Sequence, residues 1–259
     1  MYQAFDLTGK VALVTGGNGG IGLGMAAALA EAGADIAIWG TNAKKNEAAK
    51  ARLAKIGRKV ETFVVDVADE AAAEAALAET VKRLRRVDAC FANAGVTGRA
   101  RSMFEIDAKE LRRVLSVNLD GAFFTLRAAA RHMVARAEQG DAFGRLVGIA
   151  SLAARSGAAR NEHYAATKGG LVAMLKAMAV EFARHGITAN AILPGWIETE
   201  MTAPTFANEK FAGNVLPRVP MRRWGTPEDF GGIAVYLASA ASAFHTGDEI
   251  LIDGGYWVF

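Results

Sequence analysis

Apolar residues along the chain fall into short runs separated by longer stretches of helical periodicity. The runs are Val11–Thr15, Asp35–Trp39, Val60–Asp66, Ala89–Ala92, Gly144–Ala150, Thr188–Leu193 and Glu249–Ile252. They are rich in β-branched residues and lack polar alternation, as expected of parallel strands covered on both faces. Between them, helices are expected near Ile21–Ala32, Ala43–Ile56, Glu70–Leu84, Ala108–Val117 continuing to Arg136, His163–Arg184 and Pro227–Leu237. Regular alternation of strand and helix predicts an α/β fold: a single-domain, doubly wound parallel sheet of about seven strands with helices on both faces. The stretch 194–226 breaks the rhythm, with Pro194, Pro204, Pro217 and Pro220 and little periodicity. A loop of that length in a compact domain is more often a functional lid than a linker. It starts where a strand ends, which is where ligands bind in open α/β sheets.

The first strand runs into Gly16-Gly17-Asn18-Gly19-Gly20-Ile21-Gly22 and then a helix. Glycines there let the backbone turn tightly and approach a pyrophosphate, whose charge is met by free N–H groups and the positive helix end. No Gly-Lys-Ser/Thr follows, so this is not an ATPase phosphate loop. The strand-turn-helix context makes it a dinucleotide site. About 20 residues later, an acidic residue would bond the adenosine ribose and favour NAD. Here Gly40 stands at that point, followed by Thr41, Asn42, Lys44 and Lys45. With no carboxylate to repel a 2′-phosphate, and hydroxyl, amide and ammonium groups at hand, NADP is favoured and NAD is not excluded.

Composition narrows the picture. The 259 residues, 52% of them hydrophobic, are enough for one domain with a core that needs neither disulfides nor a structural metal. Cys90 is the one cysteine and lies in an apolar run, so a buried, inert thiol is expected. With 30 basic and 27 acidic side chains, the net charge of +3 is too balanced for a nucleic-acid partner. Lys176 and Glu181 interrupt the most apolar helix, and Asp6 and Lys10 the start of the chain, so neither a membrane span nor a signal peptide is expected. The chain reads as cytoplasmic. His132, His163, His185 and His245 lie on unrelated segments, and no metal site is expected.

Six ordered motifs carry a resemblance: Thr15-Gly16-x-x-x-Gly20-x-Gly22, Asn93-Ala94-Gly95, Asn118, Ser151, Tyr164-x-x-x-Lys168 and Pro194-Gly195. In order and spacing the chain resembles the short-chain dehydrogenase/reductase family over nearly its whole length. The resemblance implies a Rossmann-type fold, a nicotinamide cofactor, redox chemistry on a small-molecule carbonyl or alcohol, and a homotetramer. It also implies roles for individual residues. Tyr164 is the general acid in reduction and base in oxidation, Lys168 tunes it and holds the nicotinamide ribose, Ser151 orients the substrate oxygen, and Asn118 holds a relay water. Asp66 and Val67 frame the adenine; Asn93, Ala94 and Gly95 lie beside the adenosine ribose and phosphates; Pro194, Gly195, Ile197 and Thr199 orient the carboxamide. Independently of the resemblance, Tyr164 and Lys168 are four apart and so share one helix face. A nearby ammonium and the positive nicotinamide ring would then lower the phenol pKa from near 10.

Within the family the chain looks most like 3-oxoacyl reductases and sugar or sugar-acid dehydrogenases. The pocket wall is expected from Thr97–Arg99, Ala153–Arg160, Trp196 and Glu198–Arg223, mixing Trp196, Met201, Phe206 and Phe211 with Arg99, Arg155, Asn161 and Glu198. Arg155 is either an anion-binding group or an exposed loop residue, and His163 either touches substrate or is an ordinary first-turn residue. The apolar end Tyr256-Trp257-Val258-Phe259 should be covered by a neighbouring subunit or by the chain's own lid. The competing reading is a non-catalytic NAD(P)-binding sensor, against which the intact set Asn118, Ser151, Tyr164 and Lys168 argues.

Overall fold

The computed structural model describes residues 2–100 and 102–259. In chain order the elements are β1 (Val11–Thr15), α1 (Gly20–Glu31), β2 (Asp35–Gly40), α2 (Ala43–Ala54), β3 (Val60–Val64), α3 (Glu70–Leu84), β4 (Ala89–Ala92), α4 (Ala108–Leu115) and α5 (Gly121–Ala137). There follow β5 (Gly144–Ile149), α6 (Ala153–Ser156), α7 (Glu162–Phe182), β6 (Ile187–Pro194), α8 (Ala203–Phe206), α9 (Glu209–Val215), α10 (Gly231–Ala238) and β7 (Glu249–Ile252). The strands form one parallel sheet in the order β3-β2-β1-β4-β5-β6-β7. Its order reverses between β1 and β4, so the loops after these two strands diverge and leave a crevice at their carboxyl ends.

The absence of polar alternation has a direct cause. Along β1, Val11 and Leu13 enter a core with α3, α5 and α7, whereas Ala12 and Val14 enter a second core with α1, α2 and α10. Successive side chains point to opposite faces, and both faces are dry. Cys90 is fully buried in the first core, and burial pushes its thiol up to about 12. At the opposite, amino-terminal end of the strands, buried Asp88 accepts from Val11 N–H at 2.9 Å and pairs with Arg86 and Arg136 at 2.5 and 3.0 Å.

The structure corrects several boundaries. β3 ends at Val64, not Asp66, because its only neighbour β2 stops at Gly40. The long helix expected to run to Arg136 is interrupted by one π turn, Ser116–Asp120, which divides α4 from α5. The 194–226 stretch contains α8 and α9, held by an aromatic cluster: Phe206 stacks on Trp224 at 4.2 Å, and Trp196 meets Phe211 edge-on at 5.1 Å. Among the described residues no helix is long and apolar enough to cross a membrane, and no group of three His, Cys, Asp or Glu could hold a metal.

Candidate active site

The crevice is a cavity of about 370 Å³ lined by the glycine-rich turn, Asn93–Gly95, Ser151, Tyr164, Lys168 and the Pro194–Thr202 region. Gly16 and Gly20 have φ of 64° and 50°, a left-handed backbone that suits glycine. At Gly22 a Cβ would stand 2.5 Å from both Asn93 Nδ2 and Gly16 O. The turn is therefore closed against Asn93, whose Nδ2 donates to Thr15 O at 2.9 Å. Thr15 Oγ1 in turn accepts from the N–H groups of Asn93 and Ala94, both at 3.0 Å, joining the loops after β1 and β4. No side chain caps α1, so its first N–H groups are left for a ligand. A dinucleotide pyrophosphate fits this cradle, since it needs close backbone approach and unpaired donors.

Beyond β2, the place of the ribose-binding acid is physically filled. A Cβ on Gly40 would lie 2.3 Å from Asn18 Nδ2 and 2.6 Å from Asn46 Oδ1. Asn18 donates to Asn46 at 2.7 Å, and Asn46 donates to the carbonyls of Gly40 and Phe63 at 2.9 and 3.0 Å. Thr41 and Asn42 are exposed and outside the cavity lining, and Asn42 caps α2 by accepting from Lys45 N–H at 3.1 Å. Lys45 does line the cavity, with its ammonium on Glu200. Asp66 is exposed and accepts from Ala68 N–H at 3.0 Å, while Val67 is buried against Gly121; neither lines the cavity.

At the other end, Ser151 follows β5 and shares a side-chain hydrogen bond with Tyr164. Its Oγ also accepts from Ala153 N–H at 3.1 Å, at the start of α6. Lys168 is buried, donates to Ile149 O at 2.8 Å, and has Nζ 5.5 Å from the Tyr164 ring centre. Burial pushes this lysine down to about 8. It also raises Tyr164 above the usual phenol value, offset in part by the Ser151 bond. In the protein alone the direction is therefore set by desolvation, opposite to the lowering expected from the lysine. Asn118, in the π turn, spends its side chain on Val96, accepting from its N–H at 2.8 Å and donating to its carbonyl at 2.9 Å. A Cβ on Gly95 would be 3.3 Å from Asn118 Oδ1 and 3.5 Å from Lys168 Nζ. The side chain therefore fixes the post-β4 strand beside the lysine.

Similarity to known proteins agrees with this geometry. A family model described as Enoyl-(Acyl carrier protein) reductase matches residues 16–257. Gluconate 5-dehydrogenase of Gluconobacter oxydans is 36% identical over 254 residues, 98% of this chain and 97% of the relative. The 3-oxoacyl-[acyl-carrier-protein] reductase FabG of Chlamydia pneumoniae is 34% identical over 249 residues, 96% of this chain and 97% of the relative. A gluconate 5-dehydrogenase from Burkholderia cenocepacia, solved in complex with NADP and tartrate, superposes with a TM-score of 0.93 at 36% identity, covering 99% of this chain and 98% of that one. The chain belongs to the short-chain dehydrogenase/reductase family. It is an oxidoreductase of a family that acts on CH–OH/C=O pairs with NAD(P).

A second, adjoining cavity of about 890 Å³ opens this dehydrogenase/reductase site away from the glycine turn, sharing Ser151, Tyr164, Gly195, Met201 and Thr202. Its wall includes Thr97, Gly98, Asn161, Trp196, Tyr256 and Trp257, but also Arg160 and Arg218. Five expected wall residues lie elsewhere. Arg155 turns away to Glu249, at 3.0 Å, and Phe206 and Phe211 pack inside the aromatic cluster. Arg99 and Glu198 are likewise outside the lining. His163 is buried under Gly98, with Nε2 3.6 Å from Glu110 Oε1. Tyr256 packs on Trp196, so the chain's own 194–226 segment covers it. Asn46 escaped the sequence reading, and Arg160 and Arg218, though inside the expected wall, were not singled out as ligand groups; a buried asparagine or an inward arginine carries no spacing that separates it from solvated neighbours.

Proposed function

We propose that the protein is an NADP-dependent reductase or dehydrogenase interconverting a carbonyl and a secondary alcohol on a small sugar-type or 3-oxoacyl substrate, with Tyr164 as general acid/base. The observation that carries this reading is one cavity in which an uncapped helix start and a glycine cradle meet the Ser151–Tyr164–Lys168 cluster. NADP(H), when bound, supplies or accepts the hydride. Gly16, Asn18, Gly20, Ile21, Gly22 and Asn93–Gly95 hold its phosphates and adenosine ribose, and Pro194, Gly195, Ile197 and Thr199 its carboxamide. Lys45 reaches the 2′-phosphate, with Thr41 and Asn42 at the same strand end and Asp66 and Val67 beside the adenine. NADP is supported by the gap at Gly40, which Asn18 and Asn46 close to an acidic side chain, and by the NADP bound in the Burkholderia relative.

Ser151 donates to the substrate oxygen and holds it against Tyr164. Burial keeps the Tyr164 proton in place at neutral pH, ready for transfer to that oxygen in reduction. In oxidation the phenol gives up this proton first, and the Lys168 ammonium, retained below about pH 8, favours the phenolate. Asn118 fixes Gly95 and Val96 beside Lys168 and, through its main chain, holds the water that links the lysine to solvent. The 194–226 segment acts as the substrate lid, and four copies of the chain assemble.

A screen of carbonyl substrates with NADPH and NADH, followed by absorbance, tests activity and cofactor together. Faster turnover with NADPH is expected; a strong NADH preference overturns the cofactor assignment. The variant Tyr164→Phe should fold and bind NADPH while its kcat falls by about 10²–10⁴-fold. Undiminished turnover would refute its role as the acid, and NADPH binding with no oxidation across the panel would favour the sensor reading.

A further inference from the structure

The substrate-side cavity carries a charge pattern that the redox chemistry does not require. Among the described residues no aspartate or glutamate lines it, whereas Arg160 and Arg218 do. Four other arginines of the surrounding segments are spent on the protein itself: Arg155 on Glu249, Arg113 on Glu110, Arg223 on Asp229 and Arg222 on the carbonyl of Pro217. Among the described residues no carboxylate lies within ion-pair distance of the Arg160 or Arg218 side chain. Glu162 accepts from the Arg160 main-chain N–H at 2.9 Å rather than pairing with its guanidinium.

The Arg218 side chain and the Arg160 backbone are both constrained. The Arg218 guanidinium lies over the Tyr256 ring at 4.6 Å, a cation–π contact that restrains it. Arg160 adopts φ of 67°, a left-handed backbone uncommon for a side-chain-bearing residue, just before the helix that carries Tyr164. Such strain persists where surrounding contacts enforce it, and it gathers at ligand sites. Between the arginines and Tyr164 the wall offers hydroxyl and amide groups on Thr97, Asn161 and Thr205, with Trp196 and Trp257 as flat apolar surfaces.

We infer that this cavity takes a short polyhydroxylated carboxylate, with Arg218 and Arg160 gripping the carboxylate and so setting substrate class. This rests on the oxidoreductase reading above. A carboxylate matches the planar guanidinium fork, and chain hydroxyls match the amide and hydroxyl wall. The apolar acyl chain of a 3-oxoacyl thioester uses neither.

The test compares an aldonate with the alditol of equal chain length, which carries a hydroxymethyl group in place of the carboxylate. Wild-type kcat/KM should favour the aldonate. In Arg218→Gln it should fall by about 10–100-fold, mostly through KM, the loss expected for one charge-assisted hydrogen-bonded pair. Alditol turnover should stay within about twofold on the same ground, and Arg218→Lys should restore part of the aldonate preference. Titration of intrinsic fluorescence with the aldonate, without cofactor, should show the same weakening. Equal wild-type efficiency on both compounds, equal loss on both in Arg218→Gln, or better turnover of a short 3-oxoacyl thioester would overturn the inference while leaving the redox reading intact. Failure to turn over any alcohol or carbonyl would instead defeat the redox reading; the fluorescence titration would still decide the arginines.

Discussion

Asn46 shows how one side chain couples the cofactor turn to the sheet. It is 1% exposed and meets three polar groups at once, the amide of Asn18 and the carbonyls of Gly40 and Phe63. Truncation to alanine strands all three in a space too tight for easy resolvation. Asn46→Ala should cost about 1–3 kcal/mol of stability, the usual penalty for unsatisfied buried polar groups, measurable by urea unfolding. Because Asn18 loses its anchor, the variant should also bind NADPH more weakly in a fluorescence titration. Unchanged NADPH affinity alongside reduced stability would confine Asn46 to a structural role. Neither consequence was legible in the chain. Asn46 sits among lysines and alanines in an ordinary polar helix turn, and only the fold brings Asn18 beside it. Asn42, by contrast, was legible by position but not by use, because a helix cap and a phosphate contact ask for the same residue type.

At the scale of elements, the inner strands were readable because both of their faces are buried, which leaves an apolar run as a direct trace of the sheet. Strand ends were less so. Where β3 stops depends on where β2 stops, a property of the neighbour rather than of Val65 or Asp66. The π turn at Asn118 was invisible for a similar reason: one residue inserted in a helix leaves its apolar periodicity almost unchanged. What this turn and α4 achieve is to hold the loop after β4. Glu110 accepts from Arg99 N–H at 2.8 Å and from Arg113, which itself donates to Thr97 O at 2.7 Å. The Arg113 hydrogen bond holds the Glu110 carboxyl down at about 2, below its ordinary 4.5. A carboxyl with a lowered folded-state pKa adds stability above the unfolded value, and that contribution is lost as pH falls through the folded one. Wild type should therefore be more stable than Glu110→Gln at neutral pH, with the gap narrowing below about pH 4.5 and vanishing near 2. Thermal melts across that range would show it. A gap independent of pH would assign the difference to packing instead.

For the whole molecule, the two ends of the sheet do different work: the amino-terminal end is closed by the Asp88 ion-pair cluster, and the carboxyl-terminal end holds both cavities. What remains is the outer surface. Ala128–Ala130 are buried within their own chain, so their small size serves internal packing and not association. On α7, however, Ala173, Ala177 and Val180 recur at helical spacing and all face outward, Val180 being 84% exposed. The chain end adds Val258 and Phe259, 83% and 66% exposed. A row of apolar side chains along one helix face, left in water, is the surface a closed symmetric assembly would bury against its own copy. Sedimentation equilibrium should accordingly give four times the 27.3 kDa chain mass. Val180→Glu, which buries a charge in such an interface, should shift the protein to smaller species while its circular dichroism stays that of the folded chain. A site complete within one chain predicts that these smaller species keep their kcat. A wild-type monomer would remove the reason for the exposed row, and lost activity on dissociation would mean that a neighbour completes the site.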